Sequence, residues 1–185
     1  MIDRHGFALV REVPATPEAT EAVARRVAYI RETIFGGFWD FTANAAFADT
    51  AYSTVEIGPH TDGTYSIDSP GYQMFHCLEF DGIGGESIFV DGFRVAEDIR
   101  ALDPEAFASL TRVPVPAQYV GDGVHLVAEH PVIGLDRDGN LHQIAYNNYD
   151  RAPFRLSDDE QALFYRGIGL FNKLINDRAY QLRFG

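Results

Sequence analysis

The residues best suited to chemistry sit in one short run, Gly58-Pro59-His60-Thr61-Asp62-Gly63. In an extended segment residues two apart point to the same face. His60 and Asp62 can therefore present an imidazole nitrogen and a carboxylate oxygen to one ion. Two histidines and one carboxylate on one side of a metal leave the opposite positions open, which suits non-haem iron(II). A lone His-x-Asp also fits a surface turn in which Asp62 caps a backbone amide, so the motif alone decides nothing. The other histidines carry less. His76 lies in the apolar run Gln73-Met74-Phe75-His76-Cys77-Leu78 and is expected to be a core histidine with a partner. His125 and His130 are expected in a loop flanked by Gly and Pro, either as solvated residues or as metal ligands. His142 is expected at an exposed hairpin, and His5 is uninformative.

These residues need a frame. The chain has 185 residues, 46% hydrophobic and 23% charged, which suits one globular domain with its own core. Aromatic residues make up 13%, which favours a β-rich core. The formal charge of −12 excludes nucleic acid as the main partner. No run of about 18 apolar residues is present, so no membrane span is expected. The N-terminus lacks the layout of a signal peptide. A single cysteine, Cys77, excludes an internal disulfide and suits a reducing cytoplasm.

Thr16-Pro17 reads as a helix cap and first turn, followed by Ala19, Val23, Val27, Ile30 and Ile34 at helical spacing. Helices are expected over 93–102 and 103–110, the second restarting at Asp103-Pro104. Ser157-Asp158-Asp159-Glu160 reads as a capping box for a helix that buries Phe164, Ile168, Phe171 and Ile175. Strands are expected over 52–57, 72–80, 87–90, 113–120 and 131–135. Asp136-Arg137-Asp138-Gly139 then turns the chain into a strand over 141–146. Strands with helices packed outside them suggest a double-sheet barrel or jelly roll.

Several blocks in register make the sequence recognisable: Gly58-Pro59-His60-Thr61-Asp62, Pro70-Gly71-Tyr72-Gln73-Met74-Phe75-His76-Cys77-Leu78, Gly84-Gly85-Glu86-Ser87, Val90-Asp91-Gly92-Phe93 and Asn147-Asn148-Tyr149-Asp150-Arg151-Ala152. From about Phe7 to Phe184 the chain resembles the catalytic domain of iron(II)- and 2-oxoglutarate-dependent dioxygenases of the trimethyllysine and γ-butyrobetaine hydroxylase group. Phe75-His76-Cys77-Leu78-Glu79 and the run from Asn147 lean toward the trimethyllysine enzymes.

The resemblance implies a double-stranded β-helix, a jelly-roll fold that is mainly β with flanking helices. It implies iron(II) held by His60, Asp62 and a distal histidine, with 2-oxoglutarate as cosubstrate and ascorbate as an optional reductant. Ser87 falls where a hydroxyl commonly contacts the cosubstrate, although an ordinary strand residue fits equally. Phe35, Trp39, Tyr52 and Tyr65 align with an aromatic cage for a trimethylammonium group, which ring faces hold best. Asn147, Asn148 and Arg151 are candidates for the carboxylate end of the substrate, although Asn147-Asn148 also suits a hairpin end. In this family the distal histidine and an arginine for 2-oxoglutarate come from an Arg-Val-Leu-His-Gly-type segment. No histidine follows His142 here, so residues 1–185 are expected to form a single incomplete catalytic domain without its C-terminal strands.

The expected activity is hydroxylation of a trimethylammonium amino acid, trimethyllysine at C3 first and γ-butyrobetaine or another quaternary ammonium compound second. A non-catalytic fragment that binds quaternary ammonium ligands is the alternative from another class. A cupin-like metal hydrolase recruiting His125 or His130 is a third. The partner is a small molecule, and a homodimer is compatible with the group.

Overall fold

A computed structural model describes residues 2–42, 56–121 and 123–184. The chain forms two compact units, Met1–Glu56 with Tyr72–Gly84, and Ile57–Gly71 with Gly85–Gly185.

The first unit carries a single-turn helix α1 (Ile2–His5) and α2 (Pro17–Val27). Thr16 caps α2 by accepting the Ala19 amide at 3.2 Å, and Pro17 occupies the first turn, where its missing N–H costs nothing. The helix stops at Val27, so Ile30 and Ile34 of the expected stripe lie beyond it, and Val27 itself is exposed. The buried residue of α2 is polar. The Thr20 hydroxyl donates to the Thr16 carbonyl at 3.2 Å, which leaves its oxygen to accept from His76 Nδ1 at 2.6 Å. His76 thus has the partner expected of it, but it is half-buried in an exposed run and not in the core. The run 72–80 forms no strand. Tyr72, Phe75 and Phe80 are all exposed, and among the described residues no strand pairs with the run; the strand expected over 52–57 lies mostly outside them. High β propensity without a partner ladder leaves an extended segment.

The second unit holds the core. Its elements are β1 (Ser87–Val90), α3 (Gly92–Leu102), α4 (Pro104–Arg112), β2 (Val115–Gly121), β3 (Val124–His130), β4 (Ile133–Leu135), β5 (Leu141–Ile144), α5 (Asp158–Asn176) and β6 (Gln181–Phe184), the last entered through a 3₁₀ turn at Arg178–Tyr180. Three antiparallel pairs form among the described residues: β1 with β6, β2 with β3, and β4 with β5. Helices and small two-stranded sheets therefore share the fold, in place of the mainly-β arrangement expected. Two strands were not anticipated. β3 occupies the stretch expected to be a loop around His125 and His130, and β6 pairs across β1 in the register Ser87↔Phe184 and Phe89↔Leu182.

Capping fixes where the three long helices begin. The Asp91 carboxylate accepts the Phe93 and Arg94 amides, and Asp103 accepts that of Ala106, each at 3.0 Å. Ser157 and Glu160 form the reciprocal box, and Asp158, Asp159 and Glu160 add acidic charge to the first turn of α5. Helix α5 then buries Phe164, Ile168, Phe171 and Ile175 against α3 and α4, the stripe expected from the sequence. Phe164 and Phe171 are almost inaccessible, and burial of each contributes about 1.5–3 kcal/mol. At Gly167 a Cβ would lie 3.0 Å from Leu110 Cγ, so the absence of a side chain lets α5 approach α4 closely. Arg166 straps the two helices, with contacts of 2.8 Å to Asp103 and 3.0 Å to Glu105. No helix among the described residues is long and apolar enough to cross a membrane.

Candidate metal centre

The segment carrying His60 and Asp62 belongs to the second unit, and its position follows from hydrogen bonds to the end of β5. Thr61 donates its backbone N–H to the Tyr146 carbonyl at 2.8 Å, and its hydroxyl oxygen accepts the Tyr146 N–H at 2.9 Å. Three residues on, the Thr64 hydroxyl donates to Asp150 Oδ2 at 3.4 Å. Gly63 turns the chain with φ +68°, and a Cβ there would meet Pro70 Cδ at 2.9 Å. A residue with a side chain is therefore disfavoured at this position both by conformation and by space.

Held this way, His60 and Asp62 face each other, with Nε2 and Oδ1 3.1 Å apart. Two ligands about 2.1 Å from one ion at right angles are roughly 3 Å apart. The observed separation is therefore the one that adjacent coordination positions require. The second ring nitrogen, Nδ1, donates to the Gly58 carbonyl at 2.8 Å. That bond fixes the ring orientation and the tautomer, leaving the Nε2 lone pair for a metal when the ring is neutral. Without a metal, the hydrogen bond to Asp62 is the chief cause that raises the imidazole pKa above its ordinary value. Partial burial opposes this, and the Gly58 carbonyl and the charges of Asp62 and Asp150 reinforce it. The donor set fits iron(II) as two adjacent ligands. Among the described residues, no group of three or more His, Cys, Asp or Glu side chains converges on one point.

The remaining candidates are distributed as follows. Ser87 opens β1 opposite Phe184, and the strand alternation puts it on one face with Phe89, Leu182 and Phe184, all exposed. Phe35 and Trp39 belong to the first unit, stacked at 4.4 Å between centroids and 8° between planes, and Phe41 tilts against Trp39 at 4.8 Å. Tyr65 belongs to the second unit and tilts against Tyr119 of β2 at 5.4 Å. Tyr52 lies outside the described residues.

Asn147 and Asn148 are engaged internally. Asn147 Nδ2 donates to Asp150 Oδ2 at 2.8 Å and its Oδ1 accepts the Tyr149 amide at 2.9 Å, an Asx turn. Asn148 Nδ2 donates to the Tyr146 hydroxyl at 2.8 Å. Arg151 stacks over Tyr165, 5.4 Å from its centroid, and its Nη1 is buried without a hydrogen-bond partner among the described residues. Arg151, Asn147, Thr64 and His130 border a cavity of about 20 Å³, the volume of one water.

The histidines outside the pair do not supply a further ligand here. His125 is exposed on β3, and His142 is exposed on β5 as expected. His130 ends β3 and donates Nε2–H to the Ser66 carbonyl at 2.8 Å, which again pins the loop that follows Asp62. Neither this role nor that of Tyr146 is legible in the sequence, because both are made by bonds to residues far away in the chain.

The chain is similar to known dioxygenases. Over 191 aligned residues the chain is 41% identical to trimethyllysine dioxygenase of Meyerozyma guilliermondii, covering 98% of this chain and 48% of that protein. It is 42% identical over 153 residues to the human mitochondrial trimethyllysine dioxygenase, covering 80% of the chain and 36% of that protein. A dioxygenase of Strobilurus tenacellus is 34% identical over 178 residues, or 94% of the chain. The chain thus spans half or less of the length of these curated relatives. Residues 1–185 match the profile described as taurine catabolism dioxygenase TauD, TfdA family. With a profile match along its whole length, the chain belongs to the TauD/TfdA dioxygenase family.

Proposed function

We propose that this chain carries part of the active site of an iron(II)- and 2-oxoglutarate-dependent dioxygenase, whose substrate is a trimethylammonium amino acid and, first among these, trimethyllysine hydroxylated at C3. The observation that carries the proposal is the 3.1 Å approach of His60 Nε2 to Asp62 Oδ1, with Nδ1 already committed to Gly58. The names of the Meyerozyma and human relatives support the choice of substrate. The jelly-roll fold is proposed for the whole catalytic domain, with the three strand pairs as parts of it.

When bound, iron(II) and 2-oxoglutarate supply the activation of dioxygen, releasing succinate and carbon dioxide. The chain's own residues supply placement. His60 and Asp62 hold the ion from one side. The Ser87 hydroxyl donates to a cosubstrate carboxylate, with Phe89 and Phe184 on the same strand face. A trimethylammonium group has no N–H to donate, so it is selected by ring faces, assigned to Trp39, Phe35, Tyr52 and Tyr65. The unmet Nη1 of Arg151 supports an anion at the other end of the substrate, with Asn147 and Asn148 beside it. The cavity there is the size of one water, so a carboxylate would sit at its rim. One free cysteine supports a reducing compartment, the cytoplasm in the first instance; the human relative is named mitochondrial.

Anaerobic titration with iron(II) and 2-oxoglutarate tests the site. A visible charge-transfer band should appear with the wild-type chain and vanish in His60→Ala and Asp62→Ala. Succinate release stimulated by trimethyllysine and not by γ-butyrobetaine would fix the substrate. Binding of betaine-like ligands without iron dependence would instead support a non-catalytic binding fragment.

A further inference from the structure

We infer that Thr61 is a positioning residue, a clip that sets the spacing of the two metal ligands by docking the segment between them onto the hydrophobic core. The inference rests on the metal-site reading. Thr61 stands between His60 and Asp62, so in an extended segment its side chain leaves from the opposite face. On that face it meets Tyr146 three times. Its N–H donates to the Tyr146 carbonyl at 2.8 Å, its Oγ1 accepts the Tyr146 N–H at 2.9 Å, and the hydroxyl lies 3.4 Å from the same carbonyl. In an ordinary ladder the Tyr146 N–H would be met by a backbone carbonyl. Here a side-chain oxygen takes that place, so the bond depends on residue type and not only on chain path.

The anchor itself is rigid. Tyr146 is 6% exposed, its ring packs on Phe171 at 4.8 Å between centroids, and its hydroxyl donates to Asn172 on α5 at 3.0 Å. The ligands thus take their position from the long buried helix through one tyrosine. Further bonds hold the loop just beyond, from Thr64 to Asp150 and from His130 to the Ser66 carbonyl. The Asn147-Asn148-Tyr149-Asp150 stretch accordingly serves as a cradle for the metal-binding loop, because Asn147 orients Asp150 and Asn148 meets the Tyr146 hydroxyl. A metal that meets a segment already ordered does not have to order it. The clip therefore appears as metal affinity, like other partners that orient ligands from behind.

The test uses Thr61→Val, which keeps the shape and loses the hydroxyl, and Thr61→Ser, which restores it. Mn(II) uptake is followed by loss of the free-ion EPR signal. Amide hydrogen exchange is followed by NMR without metal, with the α5 amides as a check that the core is folded. Thr61→Val should lose protection at the Tyr146 amide and weaken Mn(II) binding roughly ten- to a hundredfold, the range for residues that orient metal ligands. Thr61→Ser should stay close to wild type in both. Unchanged affinity in Thr61→Val, with normal uptake by wild type, overturns the positioning role alone. Retained protection of the Tyr146 amide in Thr61→Val overturns the hydroxyl clip. Failure of the wild-type chain to take up Mn(II) overturns the metal-site reading, and this role with it.

Discussion

Replacing Tyr146 with phenylalanine removes one oxygen from the centre of the second unit and leaves the ring in place. That oxygen takes part in two hydrogen bonds, accepting from Asn148 Nδ2 at 2.8 Å and donating to Asn172 Oδ1 at 3.0 Å. Each such bond contributes about 0.5–1.5 kcal/mol net, and a partner stranded in the interior would add a desolvation penalty. Neither partner is stranded. Asn148 is exposed and can turn to water, and Asn172 Oδ1 still accepts from Asn176 Nδ2 at 3.1 Å. The expected loss is therefore about 1–2 kcal/mol, against the roughly 3–5 kcal/mol typical of truncating a buried aromatic to alanine. Urea denaturation at neutral pH should show a lower midpoint with an unchanged slope. The Thr61 amide should keep its exchange protection, because Thr61 bonds to the main chain of Tyr146 and not to its phenol. A loss above about 3 kcal/mol would refute the accounting of satisfied partners. A Thr61 amide that opens in Tyr146→Phe would refute the division between main-chain and side-chain roles.

Two further outcomes follow from the same accounting. The Ser109 hydroxyl is fully buried and has no hydrogen-bond partner among the described residues, so Ser109→Ala should stabilise the chain by about 1 kcal/mol, read as a raised urea midpoint. A fall of the same size would show that the hydroxyl is bonded after all. The Asp103 carboxylate is held below its ordinary pKa, chiefly by the Ala106 amide it caps and then by Arg166. Its charge therefore adds stability that is fully present above the unfolded value, near pH 3.9, and is lost as pH falls through the depressed value. The advantage of wild type over Asp103→Asn in urea melts should accordingly be constant at neutral pH and shrink in acid; an advantage that grows in acid would contradict it.

What could be seen in the sequence was what local chemistry decides. Ser157 with Glu160, and Asp103 with Pro104, announce their helices because the cap and the capped amides are neighbours in the chain. The α5 stripe is legible because a core helix must bury one face. The His60–Asp62 pairing is legible because i and i+2 share a side. The stretch from Tyr72 to Phe80 deceived because a strand exists only with a partner, and no partner lies among the described residues. Val124–His130 deceived in the opposite sense. Its histidines and the glycines before it suggest a loop, yet Ala128 is buried and every residue from Val124 to His130 finds a register partner on β2. Thr61, Tyr146 and His130 escaped notice for a common reason. Their roles are made by contacts between residues 64 to 85 positions apart, which no window of neighbouring residues contains.

The bonds between Thr61 and Tyr146 join positions 85 residues apart. A ribosome adding about 5–20 residues per second needs several seconds to make the intervening chain. Throughout that interval His60 and Asp62 already exist, but the tyrosine that fixes their separation does not. A transition-metal ion arriving during synthesis would meet a flexible chelating peptide with little power to discriminate between ions, whereas one arriving later meets a pair of fixed spacing. On the proposed metal-site reading, loading would follow folding, and the choice of metal would fall to the finished protein rather than the nascent chain.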